Sequence, residues 1–489
     1  MTERRSPFAA LLVPELRWDP DHGFAYLQQL IDEALELGVG GFLLTGGSRE
    51  AVIALTGELD RRTVHPLLIA ADLEAGAGGA FSGATGMPPL AAFGALRDDR
   101  AVRRGAIIAA REARAMGINW ALAPVVDLDT GASNPFLGSR SFGAESQRVA
   151  EWGVEWVDAC QSEGVLACAK HYPGVGRATS DPDLGRSVVA HPAGALWAED
   201  LVPFRAAVDT GVASIMAAPV AFPGLDPSGA PASLSRPLLT ELLRQELHFE
   251  GLIVSDTLGI AGVAEVAHES LVAVATLAAG CDLLLAPSDP YAIVEAIDQG
   301  LERGVLSFEA LEASVARRTF WANWGRRAGG REPTLDDVLW VRQVADSVVH
   351  PVRGVIPTVG PAVDLILVDD DVEETPGWSA PSREPLMLAM RSVGLLPQLC
   401  EGPTAEGRGS VVIALFGEPR PGRGRAGYHE RTRRRVARAI ADSRQAQRSV
   451  VVLCFGPPWL AQEIPEAPNV VCCWSGSTAM QEAAARRMG

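Results

Sequence analysis

Through the first 325 residues, short apolar runs alternate with longer segments whose apolar positions recur every three or four residues. The short runs are Phe8–Val13, Gly41–Thr45, Leu67–Asp72, Trp120–Pro124, Val165–Lys170, Ser214–Ala218, Leu252–Asp256 and Leu283–Ala286. The longer ones include Gly23–Leu37, Ala101–Met116, Ser146–Ser162, Ala195–Thr210, Ser235–Leu247 and His268–Ala279. Runs of four to eight apolar residues predict strands, and the 3.6-residue period predicts amphipathic helices. Several runs are apolar almost throughout, as parallel strands buried on both faces require. Eight strands with helices between them predict an α/β fold, a (β/α)8 TIM-type barrel over residues 1–325.

The texture changes after Arg326. Arg326–Pro333 is rich in Arg and Gly and predicts a linker, set over 326–345, and a helical pattern runs over Leu335–Val348. Strand-like runs then return at Val363–Val368, Ser410–Phe416 and Val450–Phe455, with a helix over Tyr428–Ser443. This alternation predicts a smaller α/β/α sandwich over 346–489.

The polar residues that stand out fall at strand ends. Asp72 ends the third run, Asp127 follows the fourth, Lys170 and His171 end the fifth, and Asp256 ends the seventh. Barrels of this class build their active sites at the C-terminal strand ends, so charged groups gathered there point to an enzyme. Lys170 is the chain's single lysine; every other basic side chain but the histidines is arginine. A compact ammonium with three donors differs from a planar guanidinium fork, which gives a site a reason to keep it.

Length and composition narrow the class. A chain of 489 residues exceeds one ordinary core, and 47% hydrophobic with 21% charged residues is globular. A net charge of −17 disfavours nucleic acid and anionic membrane surfaces as partners. No stretch reaches the roughly 18 apolar residues that span a bilayer. The N-terminal apolar run Phe8–Val13 is too short for a signal segment, so a cytoplasmic location is expected. Seven cysteines, mostly within apolar runs, lack metal-type spacing and suggest buried free thiols.

Four constellations carry candidate chemistry. Asp256, in Val254-Ser255-Asp256-Thr257, is a nucleophile, base or metal ligand, or else a helix N-cap. Asp72 opens a Gly-rich loop where it could chelate sugar hydroxyls, with Glu74 as an ion-pair member. Arg140, in the turn-rich Asn134–Gly143 segment, is a clamp for hydroxyls or carboxylates if it faces the barrel mouth. Asp181-Pro182-Asp183 follows a flexible stretch and could carry an acid or base into a site. Two patterns are set aside. Gly422–Gly427 fits a dinucleotide fingerprint by letters, but two prolines separate it from its strand and it carries two arginines. Arg431 and Arg433–Arg435 read as a solvated helix face.

In this order, these segments resemble glycoside hydrolase family 3, most nearly its bacterial β-N-acetylglucosaminidases (β-hexosaminidases). That branch carries Lys-His-Phe-Pro-Gly-His-Gly, matched by Lys170–Gly176 with Tyr172 for phenylalanine and Val175 for the second histidine. Its Asn-Pro…Gly-x-Arg-Ser-Phe-Gly signature is matched by Asn134–Gly143, and its Pro-Ala-Ser-Leu-Ser…Ser-Asp-x-Leu stretch by Pro231–Leu258. The tail, Phe455–Pro458 through Met480–Ala484, is similar to the family's second domain. The resemblance implies retaining hydrolysis of small β-linked carbohydrates, N-acetyl-β-D-glucosaminides foremost, through a covalent glycosyl-aspartate, with no metal or cofactor. It places the nucleophile at Asp256 and sugar contacts at Asp72, Arg140, Lys170 and His171.

One departure matters. The branch carries its acid/base histidine in a mobile Asp-Ser-His loop, and this chain has Asp181-Pro182-Asp183 there. Asp183, held by Asp181, could protonate the leaving oxygen; so could Glu418 or Glu430 of the second domain, as in the β-glucosidase branch. A weakened enzyme limited to good leaving groups, or a sugar-binding homologue without catalysis, are the remaining alternatives. Retention of Asp256 argues against pure binding.

Overall fold

The computed structural model describes residues 6–264, 267–326, 331–370, 382–403 and 409–489. The expected linker is partly outside them, at 327–330. The chain forms two compact units. The first takes residues up to Thr85, Asp99–Leu128 and Ala144–Pro333; the second takes Gly86–Asp98, Asp129–Gly143 and Thr334–Gly489.

The first unit is a (β/α)8-type barrel. Its strands are β1 (Leu12–Val13), β2 (Glu15–Arg17), β3 (Gly41–Thr45), β4 (Leu68–Ala71), β5 (Trp120–Ala121), β6 (Leu166–Tyr172), β8 (Ser214–Ala217), β10 (Leu252–Thr257) and β11 (Leu283–Leu285). Between them a small parallel pair, β7 (Ser187–Val188) and β9 (Val220–Ala221), stands apart. The main sheet runs β1-β11-β10-β8-β6-β5-β4-β3-β2, every pairing parallel. Its two end strands are consecutive in the chain and separated by Pro14 alone, so the sheet closes on itself. Proline has no N–H for the ladder, which explains why the first strand is split in two. Inward residues from successive strands, among them Leu43, Leu68, Trp120, Leu166, Cys168, Met216, Leu252 and Leu283, fill the interior. Trp120 satisfies its indole N–H on the Ser214 hydroxyl at 2.8 Å.

The expected first strand begins late. Pro7–Leu11 forms a 3-10 turn, with proline at its first position, where the missing N–H costs nothing. Phe8 there packs edge-to-face on Phe308, 5.5 Å between ring centres. The helix over Ser146–Ser162 matches the expected span, while the two expected from Ala195 and Ser235 include π-type turns at Leu196–Asp200 and Pro237–Glu246.

The second unit is an α/β/α sandwich. Among the described residues its six strands are β12 (His350–Arg353), β13 (Ala362–Asp369), β14 (Leu396–Leu399), β15 (Ser410–Phe416), β16 (Val450–Phe455) and β17 (Val470–Cys472), in the order β12-β17-β16-β15-β13-β14. All pair in parallel except β12 with β17. One face is covered by Leu335–Val348, Glu384–Ser392, Thr478–Arg486 and the early segment Leu90–Leu96, the other by Glu430–Gln445.

The segment matching the dinucleotide fingerprint has a structural use. Arg423 and Arg425 donate to Asp370 Oδ2 at 2.5 and 2.6 Å, and Thr432 and the His429 N–H also reach that carboxylate. Arg423 and Asp370 are both fully buried. An internal carboxylate therefore holds both arginines of this segment. Removing one member of a buried pair strands the other charge, at a cost of about 3–5 kcal/mol. Asp370→Ala is expected to lower the unfolding transition of the second unit accordingly in calorimetry; an unchanged transition would show that the arginines have other acceptors of equal worth.

Candidate active site

Strand β6 is buried along its whole length and delivers the Lys-His pair at its end. The Lys170–His171 and Tyr172–Pro173 peptides are cis, and the β6–β8 register shifts between Lys170 and Tyr172. Lys170 is only 2% exposed. Its ammonium donates to Asp72 Oδ1 at 2.5 Å and pairs with Glu74 Oε1 at 2.8 Å. Asp72 directly follows β4, and its side chain is largely open to solvent, whereas Glu74 is mostly covered.

His171 is held by a residue that the sequence marked only as lying at a strand end. Asp127, fully buried, accepts from His171 N at 3.0 Å and lies 2.8 Å from His171 Nδ1 with the same oxygen. Its other oxygen accepts from Val175 N at 2.8 Å. A carboxylate on Nδ1 sets the tautomer and turns Nε2 toward whatever binds. The chain then turns back so closely that a side chain at Gly176 would lie 1.8 Å from the Leu128 carbonyl oxygen.

Asp256 lies within β10, half-buried, and its Oδ1 accepts from the adjacent Thr257 N at 2.7 Å. Below Lys170, the thiol of Cys168 is pushed up to about 12 by burial, and the charges of Lys170, Asp72 and Asp256 all reach it. All seven cysteines are free thiols.

The Asp181–Asp183 segment, which follows the stretch expected to be flexible, is tied in several places. Asp181, 4% exposed, accepts from Asp183 N at 3.0 Å. The Pro182 carbonyl accepts from Gly262 N at 2.8 Å, and Ser187 Oγ donates to Ser180 O at 2.8 Å. A side chain at Gly262 would meet three carbonyl oxygens, those of Pro182, Gly185 and Pro219, at 3.1 Å. The loop tip thus rests on the segment that leaves Asp256, with the Asp183 side chain exposed.

Arg140 belongs to the second unit, in the 3-10 turn Gly138–Arg140, where Ser139 Oγ donates to Trp474 O at 2.6 Å. Glu418 and Glu430 lie in that unit too, Glu418 half-buried and Glu430 exposed and paired with Arg434. The barrel brings Asp72, Lys170 and Glu74 into direct contact and joins Asp181 to Asp183; Arg140 stands in the other unit. Among the described residues, no group of three or more His, Cys, Asp or Glu side chains is arranged to hold a metal ion. No described helix is long and apolar enough to cross a membrane.

The model of the glycosyl hydrolase family 3 N-terminal domain matches residues 30–319, more than half of the chain. The chain belongs to glycosyl hydrolase family 3. It is 34% identical over 357 residues to a β-N-acetylglucosaminidase/β-glucosidase of Cellulomonas fimi, covering 68% of this chain and 63% of that one. It is 36% identical to a β-hexosaminidase of Thiobacillus denitrificans over 52% of this chain and 72% of that relative. The solved β-N-acetylglucosaminidase of this family from Paenibacillus sp. superposes with a TM-score of 0.84 over the whole chain and 96% of its own length, at 24% identity. These matches make the chain a glycoside hydrolase by family.

Asp127 gives this family member a testable dependence. Asp127→Ala leaves the His171 and Val175 donors buried without their acceptor, at about 1–3 kcal/mol for each orphaned group. The variant is expected to melt earlier and to show a raised KM toward aryl glycosides, with Asp127→Asn intermediate. A normal KM would show that His171 holds its place without the carboxylate.

Proposed function

We propose that the protein is a retaining exo-β-glycosidase that hydrolyses terminal β-linked sugars, N-acetyl-β-D-glucosaminides foremost, through a glycosyl–Asp256 intermediate. The observation that carries this reading is the half-buried Asp256 near the C-terminal end of β10, in the same parallel sheet as β6, which ends with Lys170 and His171. A retaining mechanism needs a nucleophilic carboxylate below the anomeric carbon and an acid/base on the other side of the bond. Lys170, Asp72 and His171 supply donors and acceptors for a sugar's hydroxyls, and Arg140 is proposed as a further contact. The names of the relatives favour N-acetylglucosaminides, and that of the Cellulomonas fimi relative also includes β-glucosidase. Paired p-nitrophenyl N-acetyl-β-glucosaminide and β-glucoside substrates decide between them.

For the acid/base we propose Asp183, with Asp181 as its support. The loop that carries it rests on Gly262, downstream of the proposed nucleophile. A carboxyl group here can protonate the leaving oxygen and afterwards deprotonate water. A carboxylate in this role also repels an anionic acceptor, so water and not inorganic phosphate should discharge the intermediate.

Two sets of variants test these roles. Asp256→Asn should abolish turnover with the fold intact, and a 2-fluoro sugar should label Asp256 in the native enzyme; a label on another residue would refute the assignment. Asp183→Ala should lose about 10²- to 10⁴-fold on substrates with poor leaving groups. Activated aryl glycosides should suffer far less in the first step, and azide should rescue the second. Equal loss on both substrate kinds would move the role to the second unit or to no residue.

A further inference from the structure

We propose that Arg177 and Asp200 form a clasp that fixes the loop of residues 178–189, and so sets where Asp183 stands. This inference rests on the reading of Asp183 as acid/base. It makes Arg177 and Asp200 positioning residues with no part in the chemistry.

The clasp closes the loop at its base. Arg177 is the first residue after the Pro173–Gly176 turn, and Asp200 lies on the helical segment that follows the loop. Arg177 Nε donates to Asp200 Oδ2 at 2.8 Å, while Nη2 pairs with Glu199. One planar fork thus spans two adjacent acids, a geometry that an ammonium does not reproduce. The Asp200 side chain is fully buried, and its Oδ1 has no hydrogen-bond partner among the described residues. Burial lifts its carboxyl above the ordinary range against the pull of Arg177. A buried carboxylate with one unmet oxygen depends strongly on the partner it has.

Three further features tie the clasp to the site. Asp200 ends the π-helical turn Leu196–Asp200, a feature frequent at functional sites. Gly174, in the Lys-His-Tyr-Pro-Gly run, passes so close that a side chain there would lie 3.0 Å from Asp200 Cβ. The charge of Asp127, the residue that orients His171, also reaches Asp200. The loop has further ties of its own, among them Ala178 N to Val175 O, Ser187 Oγ to Ser180 O, Gly262 N to Pro182 O, Arg186 to Gly229 O and the two-residue β7–β9 pairing. The clasp is the charged tie that joins the residue before the loop to the helical segment after it. Removing Arg177 takes that tie away and leaves the others to hold the loop.

The test combines hydrogen–deuterium exchange with leaving-group dependence in the full-length protein. Arg177→Ala should speed exchange within 178–189 while β6 and β10 keep their protection. It should lower kcat on poor leaving groups by about 10- to 100-fold, the scale of a small misplacement of a catalytic group. On activated aryl glycosides it should leave kcat/KM, which reports the first step, close to normal, with any loss of kcat in the second step relieved by azide. Arg177→Lys, which keeps the charge but cannot span both acids, should fall between and serves if the alanine variant does not fold. Unchanged exchange in the loop, or equal losses on good and poor leaving groups, would overturn the proposal. Asp183→Ala measured in parallel separates the two levels. A flat leaving-group dependence there removes the acid/base reading and this inference with it. A steep dependence in Asp183→Ala with none in Arg177→Ala overturns only the clasp.

Discussion

The buried ammonium of Lys170 is the constraint around which the barrel mouth is arranged. A charge almost wholly removed from water costs several kcal/mol unless it is paired. Here the pairing comes from two carboxylates on another strand exit, Asp72 at 2.5 Å and Glu74 at 2.8 Å. The ion pairs therefore tie the end of β6 to the loop after β4, across the intervening β5. They also explain the choice of lysine in a chain otherwise supplied with arginine. A point charge on a slender stem suits a side chain that is enclosed and still meets both acids.

A second fixed point lies one residue on. Asp127 gathers the His171 amide, the His171 ring and the Val175 amide onto one buried carboxylate. The exit of β6 is thereby held on two sides, by acids from the loops after β4 and β5. The charges of Lys170, Asp72 and Asp256 all act on the buried Cys168 thiol, two residues before Lys170 on the same strand.

Much of this was legible in the sequence where the signal is local. The helices Ser146–Ser162 and Leu335–Val348 and the strands Ser410–Phe416 and Val450–Phe455 have the expected bounds, because apolar period and capping residues lie next to one another in the chain. Thr334, for example, forms a capping box with Asp337. Asp72, Lys170 and Asp256 stood out as charges ending apolar runs. What escaped depends on distant partners. Nothing near Arg177 announces Asp200, and nothing near Arg423 announces Asp370. The role of Asp127 was hidden for the same reason, its three donors lying more than forty residues downstream. The membership of Asn134–Gly143 in the second unit was equally invisible, since its turn chemistry is satisfied locally, Asn134 Oδ1 capping the Phe136 and Leu137 amides.

The early segment Leu90–Leu96 carries a consequence for biosynthesis. Ala91 and Ala92 share a core with Leu365, Val412, Leu453 and Met480, residues that leave the ribosome roughly 270 to 390 positions later. At about 5–20 residues per second, the segment spends tens of seconds without the strands it packs on. The barrel's own sheet, whose last strand ends at Leu285, is complete well before then. Nascent chains would thus pass through a stage with a finished barrel and an uncovered apolar helix, the interval in which a chaperone that recognises such surfaces has something to hold.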